Sequence, residues 1–145
     1  MIAIGSDHGG LELKQAICKL LQERGLAFSD LGTLNDSSVD YPDFGVKVAT
    51  AVATGECEMG VLICGTGIGM SIAANKVDGI RAALAHDPFT AQMAKEHNNA
   101  NVLVLGGRVL SIDLGCKLVE IWLDSTFEGG RHQKRLDKIH QIEVD

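Results

Sequence analysis

Short apolar runs alternate along the chain with longer segments whose apolar residues recur every three or four positions. Ile2 to Ile4 reads as a first strand, and Leu13, Ala16, Ile17, Leu20 and Leu21 follow at helical spacing until Gly25 supplies a left-handed stop. Ala27 to Leu31 predicts a second strand. Asp43 to Thr54, with Phe44, Val46, Val48, Ala49 and Val52, is mixed but mostly helical. Val61 to Cys64 is the third strand, and Ser71 to Lys76 has the composition of a short helix. Ile80 to Leu84 and Val102 to Leu105 supply the fourth and fifth strands, on either side of a helix from Pro88 to His97 that opens on a proline suited to a first turn. Leu114, Leu118, Ile121 and Trp122 mark another amphipathic helix, and Arg131 to Ile139 a terminal helix with a basic face. Strands alternating with helices in this way predict an α/β fold around a five-stranded parallel sheet.

Such sheets place ligands at the carboxyl ends of their strands, and polar residues gather there in this chain. Ser6-Asp7-His8-Gly9-Gly10 follows strand one, Cys64-Gly-Thr-Gly-Ile-Gly69 strand three, His86-Asp87 strand four, and Gly106-Gly107-Arg108 strand five. The third cluster is the most telling. Gly65, Gly67 and Gly69 let the backbone turn tightly after an apolar strand, so loop amides at a helix start can bind an anion or a developing oxyanion, and the same field favours the thiolate of Cys64. Cys64 could instead be one more small buried apolar residue. Asp7 could be no more than a helix cap, though a cap needs only one of Asp7 and His8. His86-Asp87 reads as a loop.

Two clusters lie away from these strand ends. His97-Asn98-Asn99-Ala100-Asn101 sets an imidazole and three carboxamides where a plain connector needs one turn residue. Behind Gly129 and Gly130, Arg131 and Arg135 share a helix face at i and i+4, and two guanidinium forks can embrace one phosphate. The alternative is a solvated basic face.

At 145 residues the chain is expected to form one domain, residues 1–145, and its composition, 46 % hydrophobic and 22 % charged, is that of a globular protein. A formal net charge of −6 argues against a general nucleic-acid or anionic-membrane partner, while a small phosphate ester needs only a local basic cluster. Cys18, Cys57, Cys64 and Cys116 show neither a C-x-x-C pair nor a His/Cys ligand spacing, so no metal site or disulfide framework is indicated and a reducing cytoplasm is expected. Met-Ile-Ala-Ile-Gly lacks the features of an export signal, and the uncharged stretch from Met59 to Asn75 is too interrupted by loop residues to span a membrane.

Taken together, Ser6-Asp7-His8-Gly9-Gly10, Asp40-Tyr41-Pro42-Asp43, Cys64 to Gly69, Ala74-Asn75-Lys76, Gly79-Ile80-Arg81-Ala82, His97-Asn98, Asn101-Val102-Leu103 and Gly129-Gly130-Arg131-His132 resemble the type B ribose 5-phosphate isomerases, whose family includes galactose 6-phosphate and allose 6-phosphate isomerases. The likeness runs nearly end to end. It implies a Rossmann-like three-layer α/β/α sandwich and an aldose–ketose isomerase that needs no cofactor and no metal. Cys64 matches the general base that moves a proton between C1 and C2 through an enediolate. Members without that cysteine carry a glutamate where this chain has Met70, which cannot take a proton.

The resemblance further implies that Thr66, with the amides of Gly65, Gly67, Ile68 and Gly69, stabilises the enediolate, and that His97 opens the sugar ring. Asp7 matches a residue touching sugar hydroxyls near the ring oxygen, Asn98 and Tyr41 match lining positions, and His8, Arg131, Arg135 and Arg108 match the phosphate-binding set. The family builds its site across a homodimer interface and often forms homotetramers. The expected ligand is therefore a small sugar phosphate, ribose 5-phosphate in the first instance. A six-carbon sugar phosphate, or a non-catalytic partner subunit of such an enzyme, is the alternative. A dinucleotide-binding module is disfavoured, because Gly65-x-Gly67-x-Gly69 lacks the G-x-G-x-x-G spacing.

Overall fold

A computed structural model describes residues 1–143, so residues 144 and 145 of the expected domain lie outside it. The chain runs β1 (Ile2–Ser6), a single 3-10 turn (His8–Gly10), α1 (Leu11–Glu23), β2 (Phe28–Asp30), α2 (Tyr41–Ala53), β3 (Met59–Cys64), α3 (Ile68–Ala74), β4 (Ala82–Leu84), α4 (Pro88–Glu96), β5 (Val102–Gly106), α5 (Ile112–Asp124) and α6 (Arg131–Ile142). All strands are parallel, in the order β2-β1-β3-β5-β4, so the α/β architecture and five-stranded sheet expected from the sequence are those observed.

Successive side chains of a strand point to opposite faces, and here each face has its own core. Ile2, Ile4, Val61, Ile63, Leu103 and Leu105 pack with α1, α4 and α5, burying Trp122 completely. Ala3, Leu62, Cys64, Val102 and Val104 face α2 and α3. Cys64 therefore ends β3 on the α2–α3 side, level with its ladder partner Gly106. Lys14, almost wholly buried in α1, places its Nζ 2.6 Å from both carboxylate oxygens of Asp30, which ties the end of β2 to the helix layer.

Several boundaries differ from the sequence reading, among them those of α3, α2 and β4. Helix α3 begins at Ile68, not Ser71, because Gly67 (φ 82°) already caps it, and it ends at Ala74 rather than Lys76. Helix α2 begins at Tyr41, with Pro42 in its first turn. Strand β4 begins at Ala82, not Ile80, because side chains replace the ladder before it. Asn101 accepts the Arg81 N–H at 2.7 Å and donates to the Gly79 carbonyl at 2.9 Å, while the Asn75 carboxamide pairs with both backbone groups of Ala82. His86 and Asp87 are loop and cap: Asp87 accepts the Thr90 N–H at 2.8 Å and starts α4.

Candidate active site

Asp7, Tyr41, Cys64, Gly65, Thr66, Ile68, Gly69 and Arg108 line one wide-mouthed cavity of about 500 Å³ at the carboxyl end of the sheet. The loop after β3 turns back on its own thiol: the Gly67 N–H donates to Cys64 Sγ at 3.2 Å, and the Ile68 N–H to Thr66 Oγ1 at 3.3 Å. Those two amides are engaged internally. Among the described residues, the N–H groups of Gly65 and Thr66 have no partner. Only glycine fits at position 67, where φ is positive and a Cβ would lie 2.5 Å from Leu84 Cδ1 and 3.1 Å from the Leu105 carbonyl.

Asp7 is both a cap and a cavity wall, since its Oδ1 accepts the Gly10 N–H at 3.1 Å while the residue lines the opening. The adjacent His8 accepts the Val39 N–H on Nδ1 at 3.2 Å, which leaves its Nε2 as the free side of the ring. Arg108 leans across Gly65 and Gly9, and Tyr41 stands over Gly69. Met70, by contrast, is fully buried in the α2–α3 core. Cys18 and Cys116 belong to the packing on the other face, and burial followed by the Asp30 carboxylate, against Lys14, pushes the Cys18 thiol up to about 11.

His97, Asn98, Arg131 and Arg135 line a different cavity, of about 330 Å³, together with His132. His97 is the C-cap of α4, and the left-handed Gly129 and Gly130 turn the chain so that α6 returns onto that helix end. The Glu128 N–H donates to the Glu96 carbonyl at 3.0 Å, bringing its carboxylate beside the imidazole. The rings of His97 and His132 stack at 4.1 Å and 16°, and each Nε2 lies 3.5 Å from Glu128 Oε1. Burial first, then His97 and Arg131, with Arg135 adding to them and Glu128 opposing, push the His132 imidazole below its ordinary range. Sequence reasoning missed Glu128 and read His132 only as a supporting partner behind the site residues; the i, i+4 spacing of the two was the available signal for Glu128.

Residues 2–139 match the model of a family described as ribose/galactose isomerase. The chain belongs to that family. It is 49 % identical to ribose-5-phosphate isomerase B of Escherichia coli over 142 residues, 98 % of this chain and 95 % of that one. A solved ribose-5-phosphate isomerase B of Clostridium thermocellum superposes with a TM-score of 0.97 at 56 % identity, covering 98 % of this chain and 96 % of that one. That of Mycoplasma genitalium, solved with bound ribulose 5-phosphate, gives 0.96 at 45 % identity, covering 99 % and 96 %.

Within this ribose/galactose isomerase chain the two groups of candidate site residues are not neighbours. Helix α4 runs back from the carboxyl end of the sheet, so His97 and Asn98 sit where the chain is about to enter β5, whereas Gly106, level with Cys64, is where it leaves. The five residues of β5 alone separate those levels by roughly 13 Å at about 3.3 Å per residue. No residue lines both cavities. One chain offers a thiol without the paired arginines and, elsewhere, paired arginines without a thiol.

Proposed function

We propose that this chain interconverts D-ribose 5-phosphate and D-ribulose 5-phosphate, and that each working site joins Cys64 of one subunit to His97, Arg131 and Arg135 of another. The observation that carries the reading is the division of the family's residue set into two cavities, each lacking what the other holds. Exposed apolar residues beside the thiol cavity support a second copy as the partner: Ile68 and Ile72, on the outward face of α3, are 55 % and 60 % exposed. We also infer a cytoplasmic enzyme, where four free cysteines stay reduced. None of its described helices is long and apolar enough to cross a membrane.

Chemistry follows from the parts. Arg131 and Arg135 on one face of α6, with His8 and Arg108 from the thiol side, hold the phosphate dianion through charge-assisted bonds. The partner subunit's His97 moves a proton between the ring oxygen and the anomeric hydroxyl, a task for the side chain that changes charge near neutrality. Cys64 as thiolate then takes the proton from C2, the electron pair forms the enediolate, and the thiol returns the proton to C1. Thr66, aided by the free amides of Gly65 and Thr66, receives the negative oxygen and passes the hydroxyl proton; one such donor is typically worth about 3 kcal/mol of barrier.

A panel of ribose, allose and galactose phosphates compared by kcat/KM tests the substrate. Ribose 5-phosphate is expected to lead, and a clear preference for a six-carbon phosphate overturns that choice. A pure chain that stays inactive until mixed with a homologue identifies a non-catalytic subunit instead.

A further inference from the structure

We infer that His97, Glu128 and His132 form a site for one borderline divalent transition ion, best matched by Zn²⁺, and that its occupation withdraws His97 from ring opening. The second half rests on the role proposed for His97 above; the first does not. Each of the three residues offers one ligand atom, and these atoms lie within 4.8 Å of one another. Both Nε2 to Oε1 separations are 3.5 Å, beyond the 2.7–3.2 Å of an N–H···O hydrogen bond. They are close to the edge of a tetrahedron around zinc, which is about 3.3 Å for bonds of about 2.0–2.1 Å.

The three side chains make no hydrogen bond to any other described residue, which leaves their ligand atoms uncommitted beyond the ring stack and the contacts to Glu128. Both Nε2 atoms lie against the same carboxylate oxygen, and the rings, stacked at 16°, turn out of the stack for both lone pairs to meet one ion. Two nitrogens and one oxygen suit zinc and its neighbours, whereas magnesium and calcium demand oxygen cages. The backbone that carries the ligands is fixed, by the Glu128 N–H on the Glu96 carbonyl and the His132 N–H on the Gly129 carbonyl at 3.2 Å. Solvent reaches the cluster through the His97 cavity, which leaves the fourth position to water. Arg131 and Arg135 line the same cavity and repel a cation, so binding depends on the charge of Glu128.

Zn²⁺ titrated into the metal-stripped full-length enzyme against a chromogenic chelator is expected to show one tight equivalent per chain. Glu128→Gln and His132→Asn, checked for fold by circular dichroism, are expected to weaken it at least about tenfold, while Cys64→Ser leaves it in place. No tight equivalent in the wild type, or an equivalent lost in Cys64→Ser and kept in Glu128→Gln, overturns the site. Should the variants misfold, Co²⁺ on the wild type decides: a nitrogen and oxygen ligand-field spectrum supports the site, and a strong thiolate charge-transfer band overturns it. Zinc is also expected to suppress ribose 5-phosphate turnover at one equivalent. If it binds there and turnover is unchanged, the site stands and the ring-opening assignment of His97 falls.

Discussion

The thiol cavity and the His97 cavity are built by different means. Around Cys64 the backbone does the work: three glycines, a left-handed cap and an amide on the sulfur fix the loop against β5 and α2. Around His97 the work falls to side chains on the end of one helix and the start of another, held by a reversal through two glycines in open space. The contrast suits proton abstraction on one side, which needs fixed geometry, and phosphate capture on the other, which needs reach and charge. On the proposed two-subunit reading, neither region is a site by itself.

The largest expected effect tests that incompleteness. Cys64→Ala and His97→Asn are each expected to lower kcat by about 10²–10⁴-fold, with phosphate-ligand affinity nearly unchanged in the first. Mixed and allowed to exchange subunits, the two inactive proteins should regain about a quarter of wild-type activity. Half of the dimers are then mixed, and each of those carries one intact site. Absence of any regain, with exchange shown by native mass spectrometry, breaks the assignment to two subunits.

Next in size is the grip. Arg135→Ala removes one charge-assisted contact, about 1.5–3 kcal/mol, so KM should rise roughly ten- to a hundredfold with kcat little changed. A fall in kcat at constant KM would move Arg135 from binding to chemistry.

How far the sequence made these regions legible follows the same contrast. Strand ends, the glycine loop and the thiol are local patterns, and Val61 to Lys76 could be read as strand, turn and helix, with only the helix bounds displaced, because each step is decided by neighbours in the chain. The i, i+4 arginines were legible for the same reason. Glu128 was not: it lies in a connector and gains meaning only when Gly129 and Gly130 fold α6 back on α4. The start of β4 was misread because the Asn101 carboxamide holds the Gly79 carbonyl and the Arg81 N–H, backbone groups that a ladder would otherwise use, a long-range substitution that periodicity cannot report.

Glycine substitution sharpens the comparison at a few kcal/mol. Gly67→Ala meets both a positive φ, about 1–2 kcal/mol, and crowding against Leu84 and the Leu105 carbonyl, about 1–3 kcal/mol more. Gly129→Ala, at φ 69° with nothing within 4 Å of the added carbon, should cost only about 1–2 kcal/mol. Urea unfolding of the two variants measures the difference. Equal losses would show that the thiol loop yields as easily as the reversal before α6.

The smallest effect is a pH slope. The His132 imidazole is pushed below its ordinary value of about 6.5 by burial, by His97 and by Arg131 and Arg135, with Glu128 pulling the other way. Between the folded and unfolded values the unfolded chain binds more protons, so stability rises with pH across that window. Equivalently, the contribution is lost as pH falls from about 6.5 through the lowered folded value. His132→Asn should flatten the fall in Tm over that interval, measured with a chelator present so that metal release adds no slope of its own. Asp87, held low by its bonds from Thr90, is the internal control, because its contribution disappears only on acidification into the carboxylate range. An unchanged slope near pH 6 in His132→Asn, with the Asp87 range intact, would mean that the stacked ring takes up its proton as freely in the folded chain as in the unfolded one.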